Sequence, residues 1–214
     1  MNISREQLIL YAVTDRSWLN GRTLYEQVEE ALEGGTTLVQ LREKNMPDKG
    51  FINEAVPIME LCHRYNVPLI INDRVNVAAE IHADGVHIGQ SDMDAAKARK
   101  ILGPDSIIGV TAKTVEQALK AQAEGADYLG SGAVFGTTTK SDAKPMDIDT
   151  LNAICDSVDI PVVAIGGINN DNVMKLSGSR IAGIAVVSGI FDNEDIKGAA
   201  QSLRAKALNI ISGR

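Results

Sequence analysis

Gln40, Arg42 and Lys44 stand at alternate positions of the run Val39 to Lys44. In an extended chain that spacing brings all three side chains to one face, while Val39 and Leu41 take the other. An amide and two cations together suit a polyanion, because Arg grips phosphate oxygens through two parallel N–H bonds and Lys adds a mobile point charge. A solvated edge face is the alternative, and it belongs to an antiparallel sheet rather than to a strand covered on both sides. Further along, Asn72-Asp73-Arg74 and Gly89-Gln90-Ser91-Asp92 each follow a short β-like run. Neighbouring strands lie roughly 4.8 Å apart, so Asp73 and Asp92 at two adjacent strand ends can share one cation. Two hard carboxylates point to Mg²⁺ completed by phosphates and water, rather than to zinc or a full calcium cage. The same aspartates also suit plain structural roles, Asp92 as a cap of the next helix and Asp73 as the partner of Arg74.

Residues 136–146 read Gly-Thr-Thr-Thr-Lys-Ser-Asp-Ala-Lys-Pro-Met, polar and without helical or strand period. The stretch is long enough for a lid whose hydroxyls (Thr137, Thr138, Thr139) and Lys140 close over a phosphate, and it also fits an ordinary exposed loop. Gly166-Gly167-Ile168-Asn169 is expected to open a helix, and Val187-Ser188-Gly189-Ile190 follows the last apolar run. Glycines let backbone approach a ligand, helix starts present free N–H groups to anions, and the last two strand ends of an α/β barrel commonly bind phosphate. Of the three histidines, His63 and His82 read as surface or packing residues and His87 as a hydrogen-bonded interior residue. No Ser-His or Cys-His pair suggests a covalent nucleophile.

These residues need elements to hold them, and the chain supplies an alternation from end to end. Strand candidates are Leu8 to Thr14, Thr37 to Arg42, Pro68 to Asn72, Gly85 to Ile88, Ser106 to Val110, Asp127 to Gly130, Pro161 to Ile165 and Gly183 to Val187. Helical patterns at Thr23 to Glu33, Lys49 to Arg64, Asp94 to Leu102, Thr114 to Glu124, Ile148 to Ser157 and Asp195 to Ile211 separate most of them. Gly or another small residue before several strands closes the preceding helix. Eight such units predict a single-domain (βα)₈ TIM barrel over residues 1–214. An open doubly wound sheet would normally carry Gly-x-Gly-x-x-Gly after its first strand, where this chain has Asp15-Arg16-Ser17.

With 214 residues, a net charge of −7 and a pI near 5.0, the chain lacks the basic surface that nucleic acid or an acidic membrane requires. Its apolar runs are too short to span a bilayer and its start is no signal peptide, so a cytoplasmic protein acting on small molecules is expected. Cys62 and Cys155 read as buried thiols.

Taken together, Tyr11-Ala12-Val13-Thr14-Asp15, Val39-Gln40-Leu41-Arg42-Glu43-Lys44, Asn72-Asp73-Arg74, Ala83-Asp84-Gly85-Val86-His87-Ile88-Gly89-Gln90, Thr137-Thr138-Thr139-Lys140, Ala164-Ile165-Gly166-Gly167-Ile168 and Val186-Val187-Ser188 closely resemble the thiamine-phosphate synthase family, in the right order and over nearly the whole chain. The resemblance implies that a pyrimidine pyrophosphate contacts Gln40, Arg42, Lys44, Asn72, Thr111 and Lys140, with Arg42, Lys44 and Lys140 as the catalytic cations. It implies Mg²⁺ on Asp73 and Asp92, and a thiazole phosphate on Thr137, Thr138, Thr139, Gly167, Val187 and Ser188. The implied reaction expels pyrophosphate from the pyrimidine methylene, forming a cation that the thiazole nitrogen captures. Thr111 stands where the family often has Ser and keeps the hydroxyl. Ala133 and Gly136 replace prolines usual around the lid, which loosens its expected entry. Rival readings are a thiazole tautomerase-like paralogue, a phosphosugar epimerase, whose His and Asp metal cluster is not visible here, and a non-catalytic regulator that binds thiamine precursors.

Overall fold

Short runs dense in Val, Ile and Leu are suited to strands covered on both faces, and in this chain they form a closed parallel barrel. A computed structural model describes residues 2–136 and 145–213. The strands are β1 (Leu10–Val13), β2 (Leu38–Leu41), β3 (Leu69–Asn72), β4 (Gly85–Ile88), β5 (Ile107–Thr111), β6 (Tyr128–Gly132), β7 (Val162–Ile165) and β8 (Gly183–Val186). Each pairs with the next, and β8 returns to β1 through Leu10↔Ile184 and Tyr11↔Ala185. Around them lie α1 (Leu24–Glu33), α2 (Asp48–Arg64), α3 (Val75–Glu80), α4 (Ala95–Leu102), α5 (Val115–Ala123), α6 (Ile148–Ser157), α7 (Ser188–Phe191) and α8 (Ile196–Ser212). The expected eight-unit barrel is the observed fold. No helix among the described residues is long and apolar enough to cross a membrane.

Local chemistry sets the helix starts. Thr23 and Glu26 form a reciprocal capping box at α1, and the side chains of Thr114, Asp147 and Asp195 accept backbone N–H groups at the starts of α5, α6 and α8. One expectation fails: the chain after β7 opens no α-helix, only a 3₁₀ turn at Val173–Leu176. Asn169 Oδ1 accepts from the N–H groups of Asp171 and Asn172, and Asn172 reaches back to Asn169 N and Gly167 O. These side chains take the backbone groups that a helix would use, and Gly178 at φ +86° ends the segment.

The core has two parts. One lies between the strands and the helices, from Leu10, Val39 and Phe51 round to Leu203 and Ile210. The other fills the barrel, where Leu8, Leu38, Ile70, Ile107 and Val163 pack beneath Tyr11 and Tyr128. Above them the interior positions turn polar at Gln40, Asn72, His87 and Thr111. A Cβ on Gly109 would lie 2.5 Å from His87 Nδ1 and closer still to Tyr128. Glycine at that interior position is what admits both rings.

Candidate active site

Strand alternation brings Tyr11, Gln40, Asn72, His87, Thr111, Gly132, Ile165 and Val187 to a cavity of about 130 Å³ inside the barrel mouth. Its floor is a chain of polar groups from five strands. Gln40 Nε2 donates to the Tyr11 oxygen at 2.5 Å, the two tyrosine oxygens are 2.7 Å apart, Tyr128 meets His87 Nδ1 at 3.1 Å, and His87 Nε2 meets Thr111 Oγ1 at 3.0 Å. Burial raises the pKa of both phenols far above the ordinary tyrosine value, so each keeps its hydrogen. His87 is the hydrogen-bonded interior residue its sequence context predicts, and it also lines the cavity.

At one side of the mouth, Arg42 lines the cavity and donates to Asp15 Oδ2 at 2.6 Å, while its own N–H is held by Thr14 Oγ1 at 3.0 Å. Burial works to raise the Asp15 pKa, but the Ser17 N–H and the Arg42 guanidinium outweigh it and hold the carboxyl below the usual aspartate value. Neighbouring Glu43 shows the opposite balance, since burial raises its pKa although Arg16 pairs with it. Lys44 lies past the end of β2, is exposed, and is not among the cavity-lining residues. Lys113, two residues beyond Thr111, does line the cavity. It extends the inward alternation of β5, and that spacing is the signal by which it could have been found.

Asp73 and Asp92 come together in a separate cleft of about 280 Å³, shared with Asp48, Arg74 and Asn76. Asp73 follows the end of β3 at φ +60°, and it lines the cleft while Asn72 lines the cavity. Asp92 Oδ2 accepts the Gly89 N–H at 2.7 Å, closing the turn after β4; the residue preceding α4 is Asp94. Arg74 donates to Asp48 Oδ1 at 2.8 Å. Among the described residues no group of three or more His, Cys, Asp or Glu could hold a metal. Two carboxylates on neighbouring strand ends fit Mg²⁺, which commonly takes one or two carboxylates and completes its shell with phosphates and water.

Opposite, the ends of β7 and β8 bring Gly166, Gly167, Val187 and Ser188 to the same cavity. Gly167 has φ +64°, and a Cβ there would strike the carbonyl oxygens of Gly136 and Phe135. Backbone bonds fasten this contact: Val134 N to Ile165 O at 3.0 Å, Phe135 N to Gly166 O at 3.1 Å, and Met146 N to Ala133 O at 2.7 Å. The segment carrying Ala133 and Gly136 is thus tied to the end of β7. Thr137, Thr138, Thr139 and Lys140 lie outside the described residues.

Among the described residues the cavity lining includes two cations, Arg42 and Lys113, and no carboxylate. Both ring nitrogens of its histidine are engaged. Such a cavity is equipped to bind anions and to orient a polar ring, and its described residues include no paired nucleophile and base. Comparison with known proteins agrees in kind. The thiamine monophosphate synthase family model matches residues 10–190. A thiamine-phosphate synthase of Clostridium tetani is 55% identical over 194 residues, covering 91% of this chain and 93% of that protein. One from Ruminiclostridium cellulolyticum is 52% identical over 200 residues, covering 94% and 95%. Among solved structures, the thiamine phosphate pyrophosphorylase of Pyrococcus furiosus is 40% identical and superposes with a TM-score of 0.89 over 97% of this chain and 98% of that one. On these matches, the chain belongs to the thiamine monophosphate synthase family.

Proposed function

We propose that the protein condenses 4-amino-2-methyl-5-(diphosphooxymethyl)pyrimidine with 4-methyl-5-(2-phosphooxyethyl)thiazole to give thiamine phosphate and pyrophosphate. Beyond family membership, the observation that carries this reading is a cavity that the described residues line with cations and neutral polar groups and no carboxylate. The chemistry asks for that inventory. The thiazole nitrogen attacks with a lone pair, so no base is required, and the electrons of the breaking carbon–oxygen bond leave with pyrophosphate.

In this reading Gln40, Asn72 and Thr111 hold the pyrimidine ring, and Arg42 and Lys140 neutralise the departing diphosphate, with Lys44 adding positive charge from the exposed chain beyond β2. Gly167, Val187 and Ser188, with Thr137, Thr138 and Thr139, bind the thiazole phosphate and aim its nitrogen at the methylene carbon. Arg42 reaches the diphosphate with its guanidinium already oriented by Asp15. The apolar walls, Val13, Val163 and Ile165, exclude water that would otherwise capture a carbocation. Asp73 and Asp92 would hold Mg²⁺, which when bound supplies positive charge to the diphosphate oxygens. A cytoplasmic location suits this small-molecule chemistry.

Incubating the purified protein with both substrates and Mg²⁺ should yield thiamine phosphate and pyrophosphate in equal amounts. Tight binding of both substrates without product would instead favour a non-catalytic regulator, and conversion of the thiazole alone would favour a tautomerase-like paralogue.

A further inference from the structure

The floor of the cavity is a hydrogen-bonded chain, and a chain of this kind has a direction. Each tyrosine hydroxyl carries one hydrogen, and a neutral imidazole donates from one nitrogen and accepts at the other. Gln40 Nε2 gives its hydrogen to the Tyr11 oxygen. Tyr11 is 1% exposed and Tyr128 0%, so a hydroxyl hydrogen without an acceptor would be costly at either. The Tyr11 hydrogen therefore goes to Tyr128, and the Tyr128 hydrogen goes to His87 Nδ1. That leaves His87 with its proton on Nε2, from which it donates to Thr111 Oγ1. Thr111 then has its own hydrogen left to offer, and Gln40 has its Oε1 left to accept. Were the Gln40 amide turned over, every bond in the chain would reverse and the imidazole proton would move to Nδ1.

We propose that Tyr11, Tyr128 and His87 are positioning residues that carry the direction set at the Gln40 amide across to Thr111, so that the cavity presents a carbonyl acceptor at Gln40 together with a hydroxyl donor at Thr111 to the pyrimidine ring. The inference rests on the proposed function for the identity of the ligand, but the direction of the chain is a property of the protein alone. A 4-aminopyrimidine matches it, with an amino N–H for the acceptor and ring nitrogens for the donor. The 4-oxo analogue carries C=O in place of the amino group and N–H on one ring nitrogen, which inverts the match to the Gln40 acceptor and removes that nitrogen as a partner for the donor. The three buried residues thereby act as a specificity device without touching the reacting bond. Glycine at 109 leaves the space in which the Tyr128 and His87 rings meet.

Two measurements test it. In ¹⁵N-histidine NMR of the full chain, with His63→Gln and His82→Gln used to assign the signals, His87 should appear as the neutral Nε2–H tautomer at neutral pH. An Nδ1–H tautomer or an imidazolium there overturns the proposal. In kinetics, the wild type should prefer the 4-amino over the 4-oxo diphosphate by on the order of 10⁴-fold in kcat/KM. Tyr128→Phe, and Tyr11→Phe as a second break in the chain, should each lower that preference by about tenfold or more, leaving the KM for thiazole phosphate unchanged. A lowered Tm with the preference intact would make the tyrosines merely structural. If the wild type turns over neither pyrimidine, the proposed function fails, and the tautomer measurement still decides the direction of the chain.

Discussion

Replacing Gly167 by alanine separates two costs that the structure assigns to one residue. At φ +64° a non-glycine residue enters the left-handed region, at about 1–2 kcal/mol. The added Cβ also lies 3.0 Å from the Phe135 carbonyl oxygen and nearer still to that of Gly136. Both obstacles are backbone, so the segment 133–136 has to move, and overpacking of this kind costs about 1–3 kcal/mol. The combined loss of about 2–5 kcal/mol corresponds to a Tm lower by roughly 4–20 °C for a chain of this length. Gly178 supplies the control: its φ is +86° and a Cβ there meets nothing within 4 Å. Gly178→Ala should lose only the left-handed term, about 1–2 kcal/mol. The site should register the difference too. Gly167 and the loop it carries border the cavity, and a shift near 1 Å in a positioning element can cost up to about 100-fold. The KM for thiazole phosphate should rise by roughly 10- to 100-fold in Gly167→Ala and stay unchanged in Gly178→Ala. Thermal melts and initial-rate kinetics on the pair are the assay. Equal Tm losses in the two variants, with equal KM values, would refute the claim that Gly167 is required by close packing against the β6 loop.

Asp73→Asn and Asp92→Asn should each sharply reduce activity at limiting Mg²⁺ while leaving the far-UV CD spectrum and Tm nearly unchanged, because both carboxylates line a surface cleft; near-wild-type rates in both variants would remove the metal assignment. For Asp15 the folded carboxyl titrates below its unfolded value, so its stabilisation is present above about pH 4 and is lost as the pH falls through the folded pKa. Asp15→Asn should therefore flatten the acid limb of stability below about pH 4, measured as urea midpoints, and an unchanged limb would contradict the Arg42–Asp15 pairing. If the carbon–oxygen bond largely breaks before the thiazole attacks, an electron-withdrawing substituent on the pyrimidine should slow single-turnover chemistry by orders of magnitude, at about 1.4 kcal/mol per factor of ten, with binding roughly intact. Equal single-turnover rates for the two pyrimidines would favour direct displacement.

Much of the architecture is local and was legible along the chain. Runs such as Leu69-Ile70-Ile71 and Val162-Val163-Ala164-Ile165 are apolar because both faces of each strand are covered, and strand and helix periods differ enough to be told apart. The rule that strand C-termini face the mouth of a parallel barrel also singled out Gln40, Arg42, Gly167, Val187 and Ser188, all of which line the cavity. The same alternation rule overreached at Lys44, because β2 ends at Leu41 and the chain leaves the extended path before that residue. It fell short at Lys113, which continues the inward face of β5 beyond the end of the strand. The helix start expected at Gly166-Gly167-Ile168-Asn169 does not form, because Asn169 and Asn172 bond to nearby backbone instead.

Only closure of the barrel decided which polar groups meet. Tyr11 and Tyr128 are 117 positions apart in sequence, yet their oxygens are 2.7 Å apart across the interior. His87 enters the same chain from β4, and glycine at 109 on β5 leaves room for it. Whether Arg42 meets solvent or Asp15 is likewise set by how the β1 and β2 ends lie side by side. Residue type and spacing determine what a strand can offer and on which face. The partners of each group are set by strand order and register, which involve contacts too distant in sequence for any local pattern to carry.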